Sequence, residues 1–429
     1  MLLASLLGAV ETASAQYDYI DINNPFLRKI PLAIPDFTDL GNPEADPAVL
    51  QEADGILRRA LDFTGYFSLL SPEAFLIEAD RPPLSQESIV FNNWTVIGAE
   101  LLITGGMRVK DGLVDMELRL FDTLAAKRLL GKRYHGTAAD LRPMILRFCS
   151  EVIYELTGKR GIFDSRIAFV STGSGNKEIY ICDFDGSNPR QFSRNENIAI
   201  FPSWSSDGQH LAYTSYVRSK PEIVIRKTNG QREAVIDRNG TNFAPAWHPT
   251  KYMLAATLSF SGNQEIYLLT GQGKIIKRIT NNWASDLSPT WSPEGDRIAF
   301  VSNRSGSPQI YIQELDSGRV ERVTFEGTYN TQPNWSPVGN RIAYTAMAAG
   351  RNDICIIDLD RRETVQLTRE TGNNESPSWS PDGSLIVFSS TREGPSRLYV
   401  MTAFGTDQRR LLTLSGEQTN PSWSSNNLN

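Results

Sequence analysis

The residues of this chain whose types could do chemistry are three histidines, three cysteines and one glycine-rich stretch. Their spacing assembles no reaction. A transition-metal centre needs three or four His, Cys or carboxylate ligands converging from short spacings. His135, His210 and His248 stand far apart, and none has a Cys or a second His at such a spacing. Cys149, Cys182 and Cys355 form no CxxC pair, which excludes a disulfide scaffold and a cysteine zinc site. A hydrolase serine needs a GxSxG elbow, and none occurs; "TGSGN" at Thr172 to Asn176 reads as a hairpin loop. No phosphate-cradling glycine loop follows a strand and opens a helix. The sequence therefore points to no catalytic residue, no cofactor and no metal.

What the chain does repeat is "PSWSPDG" at Pro377. Near-copies begin at Pro202, Pro245, Pro289, Pro333 and Pro421, each 43 or 44 residues after the one before. One unit, "PTWSPEGDRIAFVSNRSGSPQIYIQELDSGRVERVT" from Pro289, alternates like four strands separated by Gly-, Asn- and Asp-rich turns. A period of about 40–45 residues with four strands per unit is the signature of a β-propeller blade. Residues 164–429 hold six such units. The tryptophan is expected to wedge between blades, where a large aromatic excludes the most water. Ser-Pro-Asp-Gly is expected to form a type I turn, closed by a left-handed Gly. His210 occupies the slot filled by Arg297 or Arg341 in other units, and His248 replaces the Ser of the phrase. The first unit, from Arg166, lacks a Trp phrase, and the last phrase has no unit after it. The C-terminal strand should therefore complete the first blade and remove the open sheet edges. Cys182 and Cys355 then fall in non-neighbouring blades and should remain thiols.

The part before the repeat reads differently. "MLLASLLGAVETASA", residues 1–15, is an apolar run ending in a small-x-small pattern, a signal for export without the usual basic start. It is too short for a permanent membrane span. Residues 16–158 read as a small α/β domain. A strand lies between Pro31 and Pro35, and Asp46 should cap a helix starting at Pro47. That helix has an apolar face of Val49, Ala53, Ile56, Leu57, Ala60 and Leu61. An antiparallel meander follows from Leu101, and a closing helix runs from near Asp140 to Gly158. Residues 159–163 form the linker. The formal charge of −6 and pI near 5.4 argue against nucleic acid or anionic lipid as partner.

The remaining candidate is surface. The loops that end in the Trp phrase should ring one mouth of the central channel, and they differ except at the Pro and Trp. Variable loops on a rigid frame are where binding sites occur.

An export signal, an α/β domain and six "PxWSPDG…IAFxS…IY" blades closed by a C-terminal strand together resemble the TolB family, periplasmic propellers of the Tol-Pal system. The resemblance implies a non-enzymatic, monomeric adaptor that does not span the membrane. Its partners would be the lipoprotein Pal and the protein TolA, and its role outer-membrane integrity and cell division. It places the Pal contact at Thr241, Asn242, Phe243, Asp286, Leu287, Asn330, Thr331, Asn374 and Glu375. The TolA contact falls on the N-terminal segment, from Gln16 through Tyr17, Asp18, Tyr19, Ile20 and Asp21. The blade phrase also occurs in propellers of prolyl-oligopeptidase-like peptidases, which would require a Ser elbow and a late His. A propeller lyase would require His or Asp ligands clustered in the channel.

Overall fold

A computed structural model describes residues 28–41, 47–75, 84–217 and 219–426. The expected export signal, the Gln16 to Asp21 segment and the Asp46 cap lie outside the described residues.

The first domain is a mixed sheet with helices. Its strands are β1 (Ile30–Ala33), β2 (Thr38–Asp39), β3 (Phe67–Leu69), β4 (Leu101–Lys110), β5 (Leu113–Asp122) and β6 (Lys127–Thr137). They lie in the order β3-β1-β4-β5-β6, with β2 beside β4. β1 runs parallel to both of its neighbours, and β4, β5 and β6 form the expected antiparallel meander. Pro31 lies within β1 rather than at its edge. Helices α1 (Pro47–Phe63) and α3 (Leu141–Thr157) pack on one face. There Ala53, Leu57, Leu61, Ile145, Phe148 and Val152 meet Met116 and Leu118 of β5 in one core. α3 stops at Gly158, whose φ of 69° is the left-handed conformation glycine adopts without strain. The other sheet face is not bare. α2 (Phe91–Val96) brings Trp94 against Ala33, Leu102 and Phe121 in a second, smaller core that the sequence pattern did not reveal.

Beyond Phe163 the chain forms six four-stranded antiparallel sheets. The closing strand Gln418–Trp423 pairs with Arg166–Ser171, setting Trp423 opposite Ile167 and Gln418 opposite Ser171. The ring is thus locked by its two ends, as the orphan phrase required.

Each phrase tryptophan is 3–7% exposed. Trp291 Nε1 donates to the Ala246 carbonyl of the preceding blade at 2.9 Å, and Trp379 Nε1 to Asn334 at 3.1 Å. Arg297 and Arg341 lie over the tryptophans of the following blades, 4.9 and 5.3 Å from the ring centroids of Trp335 and Trp379. His210 takes the same place over Trp247, at 6.2 Å. The wedge therefore has a cationic lid in some blades and an imidazole in another. The turn after Trp379 closes by Gly383 N–H donating to the Ser380 carbonyl at 2.9 Å, and Asp382 accepts from Ser384 N–H at 3.0 Å. These aspartates serve the turn.

Every inner strand carries a bulge that the sequence did not announce. The register slips just before the phrase proline in all six blades. The residues there, Phe201, Ala244, Ser288, Gln332, Ser376 and Asn420, have φ between 47° and 55°. Pro cannot donate to a ladder, so a strand interior tolerates it at a bulge. The bulge turns backbone N–H groups towards the preceding blade: Ala244 N–H donates to Thr214 Oγ1 and Ser376 N–H to Thr345 Oγ1, both at 3.1 Å.

Candidate partner-binding face

The inner strands all run from the bulge end to the tryptophan end, so the propeller has two distinct faces. The α/β domain covers part of the tryptophan-end face. Tyr66 Oη donates to Asp382 at 3.2 Å, Arg409 Nη2 to the Phe63 carbonyl at 2.5 Å, and Lys29 pairs with Asp407 at 2.6 Å. Arg142 reaches Asp185 of the first blade at 3.0 Å. Asp382, Asp185 and Asp407 all sit on turns at that end. Burial, with Asp382 beside it, pushes the Tyr66 phenol well above its ordinary pKa. At this end the channel widens to a cavity of about 410 Å³ lined by the Pro-x-Trp-Ser phrases. At the other end the six left-handed residues and their prolines frame a smaller opening of about 120 Å³. This mouth faces away from the first domain.

The nine residues expected around the mouth divide into two groups. Asn242, Asp286 and Asn374 open their inner strands and Asn330 is the second residue of its own, and all four are fully buried. Asn242 Nδ2 donates to the Arg238 and Pro221 carbonyls at 2.8 and 3.2 Å, and Asn330 Nδ2 to the Glu326 carbonyl at 2.8 Å. Asp286 accepts from Arg304 at 2.8 Å, and Asn374 Oδ1 from Arg392 at 3.2 Å. Those guanidiniums lie 4.9 and 4.2 Å from the ring centroids of Tyr311 and Tyr399. These four side chains hold the loops from beneath and expose no surface of their own. Their position follows from the period of two: each points into its blade and the residue after it points out. Phe243, Leu287, Thr331 and Glu375 are those next residues, and with Thr241 they are partly exposed. Phe243 packs against Phe201 at 6.4 Å, and Glu375 accepts from Asn352 at 2.5 Å.

The structure adds residues the sequence reading missed. Trp283 is 78% exposed and Phe325 74%, both in loops leading to the mouth; Tyr329 and Phe260 are each 41% exposed nearby. Val217 and Ile198, 45% and 38% exposed, lie in loops at the same end. Isolated exposed apolar residues are ordinary, but a concentration of aromatics on one face of a ring is not. A signal for one of them was in the sequence. Of the tryptophans after Phe163, Trp283 alone stands outside the phrase register.

The residues that could have carried chemistry are occupied with structure. His248 is 2% exposed, and its Nδ1 accepts from the Thr250 and Lys251 N–H groups at 3.1 Å, doing what the phrase Ser does elsewhere. Burial, and then Lys251, hold its pKa below the ordinary value. His135 pairs with Asp115 at 2.8 Å. The three cysteines are buried and free; burial pushes the Cys355 thiol up to about 12 and the other two further. Among the described residues no three His, Cys, Asp or Glu side chains gather as a metal site, and no helix is long and apolar enough to cross a membrane.

A six-bladed propeller closed by its C-terminal strand, with an α/β domain seated on one face and the mouth left open, is the class of protein this fold and face define. The family described as "TolB beta propeller domain" matches residues 153–427, and "TolB amino-terminal domain" matches residues 18–129. The chain belongs to the TolB family. The amino-terminal match decides against the detached peptidase propeller that the blade phrase left open. The chain is 54% identical over 283 residues to the Tol-Pal system protein TolB of Desulfosudis oleivorans, covering 66% of this chain and 65% of that protein. It is 41% identical over 274 residues to the TolB homolog of Chlorobium chlorochromatii, covering 64% and 61%. The matched stretches thus span less than two thirds of these relatives. The crystal structure of TolB from Acinetobacter baumannii superposes with a TM-score of 0.78 at 25% identity, over 93% of this chain and 97% of that one.

Proposed function

We propose that this protein is a non-enzymatic periplasmic adaptor of a Tol-Pal system. In this reading it takes the lipoprotein Pal at the propeller mouth and TolA through Gln16 to Asp21, and so supports outer-membrane integrity and cell division. The observation that carries the reading is the asymmetry of the two faces. One is partly covered by the first domain, and the other presents exposed aromatics around a framed opening. Interfaces draw their energy from aromatic anchors surrounded by near-neutral contacts. Phe243 and Trp283 are the anchors. Thr241, Leu287, Thr331 and Glu375 are the surrounding contacts, while Asn242, Asp286, Asn330 and Asn374 shape the loops. Relatives carrying the name Tol-Pal system protein TolB support the choice of system.

The test is calorimetric titration of the cognate Pal domain into Trp283→Ala. Loss of about 2 kcal/mol of affinity, roughly thirtyfold, is expected. Stability should stay within about 0.5 kcal/mol, because the ring is solvent-exposed. Unchanged affinity in both Trp283→Ala and Phe243→Ala would move the site off this face. Deleting Gln16 to Asp21 should abolish capture by TolA and leave Pal binding intact.

A further inference from the structure

The longest unpaired edge among the described sheets lies away from the mouth, on the first domain. The outer strands of the six blades are short, from two residues (Arg190–Gln191) to five (Arg232–Ile236). The opposite edge of the first domain, β3, has three. β6 has eleven, is exposed along most of its length, and pairs with β5 alone. An open edge of that length is a template for another strand, and proteins ordinarily shorten, cover or charge such edges. This one is charged with a single sign: Lys127, Arg128, Lys132 and Arg133, with no acidic residue in the strand, Lys132 pairing with Glu151 of α3.

Its register shows what kind of strand it accepts. On the helix side Met116, Leu118 and Leu120 of β5 stand opposite Tyr134, Lys132 and Leu130. On the other side Asp115 and Glu117 stand opposite His135 and Arg133. β5 is thus apolar on one face and acidic on the other over this stretch, and β6 sets Leu130, Lys132 and Tyr134 on the first face and Arg133 and His135 on the second. Leu129, Leu130 and Tyr134 are only partly covered by the core, so a further apolar row would extend it. On that second face Glu117 serves both Arg119 at 2.7 Å and Arg133 at 3.9 Å, and Asp115 pairs with His135 at 2.8 Å, so three guanidiniums, Arg119, Arg128 and Arg133, stand with two carboxylates. A shallow groove of about 490 Å³ lined by Arg128, Leu129, Gly131 and Arg133 runs along the strand. A second copy of β6 would bring two wholly basic edges together, which is unfavourable across a strand pair.

We infer that β6 is an acceptor edge for an extended segment of a partner protein, with carboxylates alternating with apolar side chains. Main-chain hydrogen bonds would supply affinity, and the face-by-face match would supply specificity. The inference stands apart from the mouth and from its proposed partner.

The experiment uses the whole protein and a blocked, labelled peptide of about ten residues alternating valine with glutamate, beside its lysine counterpart. Anisotropy should rise with the glutamate peptide and not with the lysine one, and the affinity should fall as salt increases. Hydrogen exchange should slow in the β6 amides on binding. The double variant Arg128→Glu, Arg133→Glu should lose about tenfold or more in affinity, with an unchanged circular dichroism melt. Equal binding of the two peptides, protection elsewhere than β6, or an unaffected double variant would overturn the inference. So would a concentration-dependent dimer of the unmodified protein that the double variant abolishes, since the edge would then belong to a second copy. The exchange and salt measurements need no variant and stand even if the substitutions unfold the domain.

Discussion

Trp423→Ala tests whether the last strand locks the ring. Trp423 is 7% exposed, sits opposite Ile167, and packs in the core that also holds Phe163 and Phe184. Its Nε1 donates to Ser165 Oγ at 2.8 Å, and its backbone N–H donates to Ser378 Oγ of the neighbouring blade at 2.9 Å. Truncation removes roughly 200 Å² of buried ring surface, or about 5 kcal/mol at about 25 cal/mol per Å². That figure is an upper bound, because the unfolded chain already covers part of its apolar surface. The lost hydrogen bond contributes about 1 kcal/mol. The expected cost is about 3–5 kcal/mol, the range for emptying a large aromatic site. Urea unfolding followed by fluorescence and circular dichroism reads it as a lower midpoint with an unchanged slope. Removing Ser415 to Asn429 entirely opens the sheet edge at Arg166–Ser171 and should instead broaden the transition or cause aggregation. As a reference, Leu124→Ala, at a residue 73% exposed, should shift stability by no more than about 0.5 kcal/mol. A Trp423→Ala midpoint equal to that of Leu124→Ala, or a truncated chain that melts like the full one, would refute the locking argument.

Acidification should weaken the protein through His248. Burial holds its folded pKa below the ordinary 6.5, so as pH falls through 6.5 the unfolded chain takes up the proton first. Stability then declines with falling pH until the folded-state pKa is passed, and His248→Ser, which restores the usual phrase, should flatten that decline in urea midpoints measured across the window. Ser288 has a φ of 52°, so Ser288→Gly should be neutral or stabilising by up to about 1 kcal/mol, while Ser288→Val should lower the melting temperature. The three buried thiols should resist a thiol reagent in the native state and react on denaturation; rapid labelling of Cys355 in the native protein would contradict its place in the blade.

The sequence alone determined the ring. Blade count, strand order and closure were legible because a propeller repeats one local solution, and each repeat reports Trp, Pro and Gly independently at the same register. The amphipathic faces of α1, α3 and β5 were legible for the same local reason, since burial on one side imposes a period. Other features depend on where neighbours stand, and no spacing encodes that. The left-handed bulges of Phe201 to Asn420 arise from a proline placed inside a strand that must still bond to the preceding blade. Asn242, Asp286, Asn330 and Asn374 looked like rim residues because they stand at the ends of variable loops; which alternate position faces the blade depends on how each strand packs, and here it turns these four inward and leaves Phe243 and Glu375 outside. Trp94 and Trp283 are the same residue type outside the phrase. One fills the second core of the first domain, and the other stands in solvent at 78% exposure. Only the packing around each could decide which was core and which was surface, because burial belongs to the assembled neighbours and not to the residue.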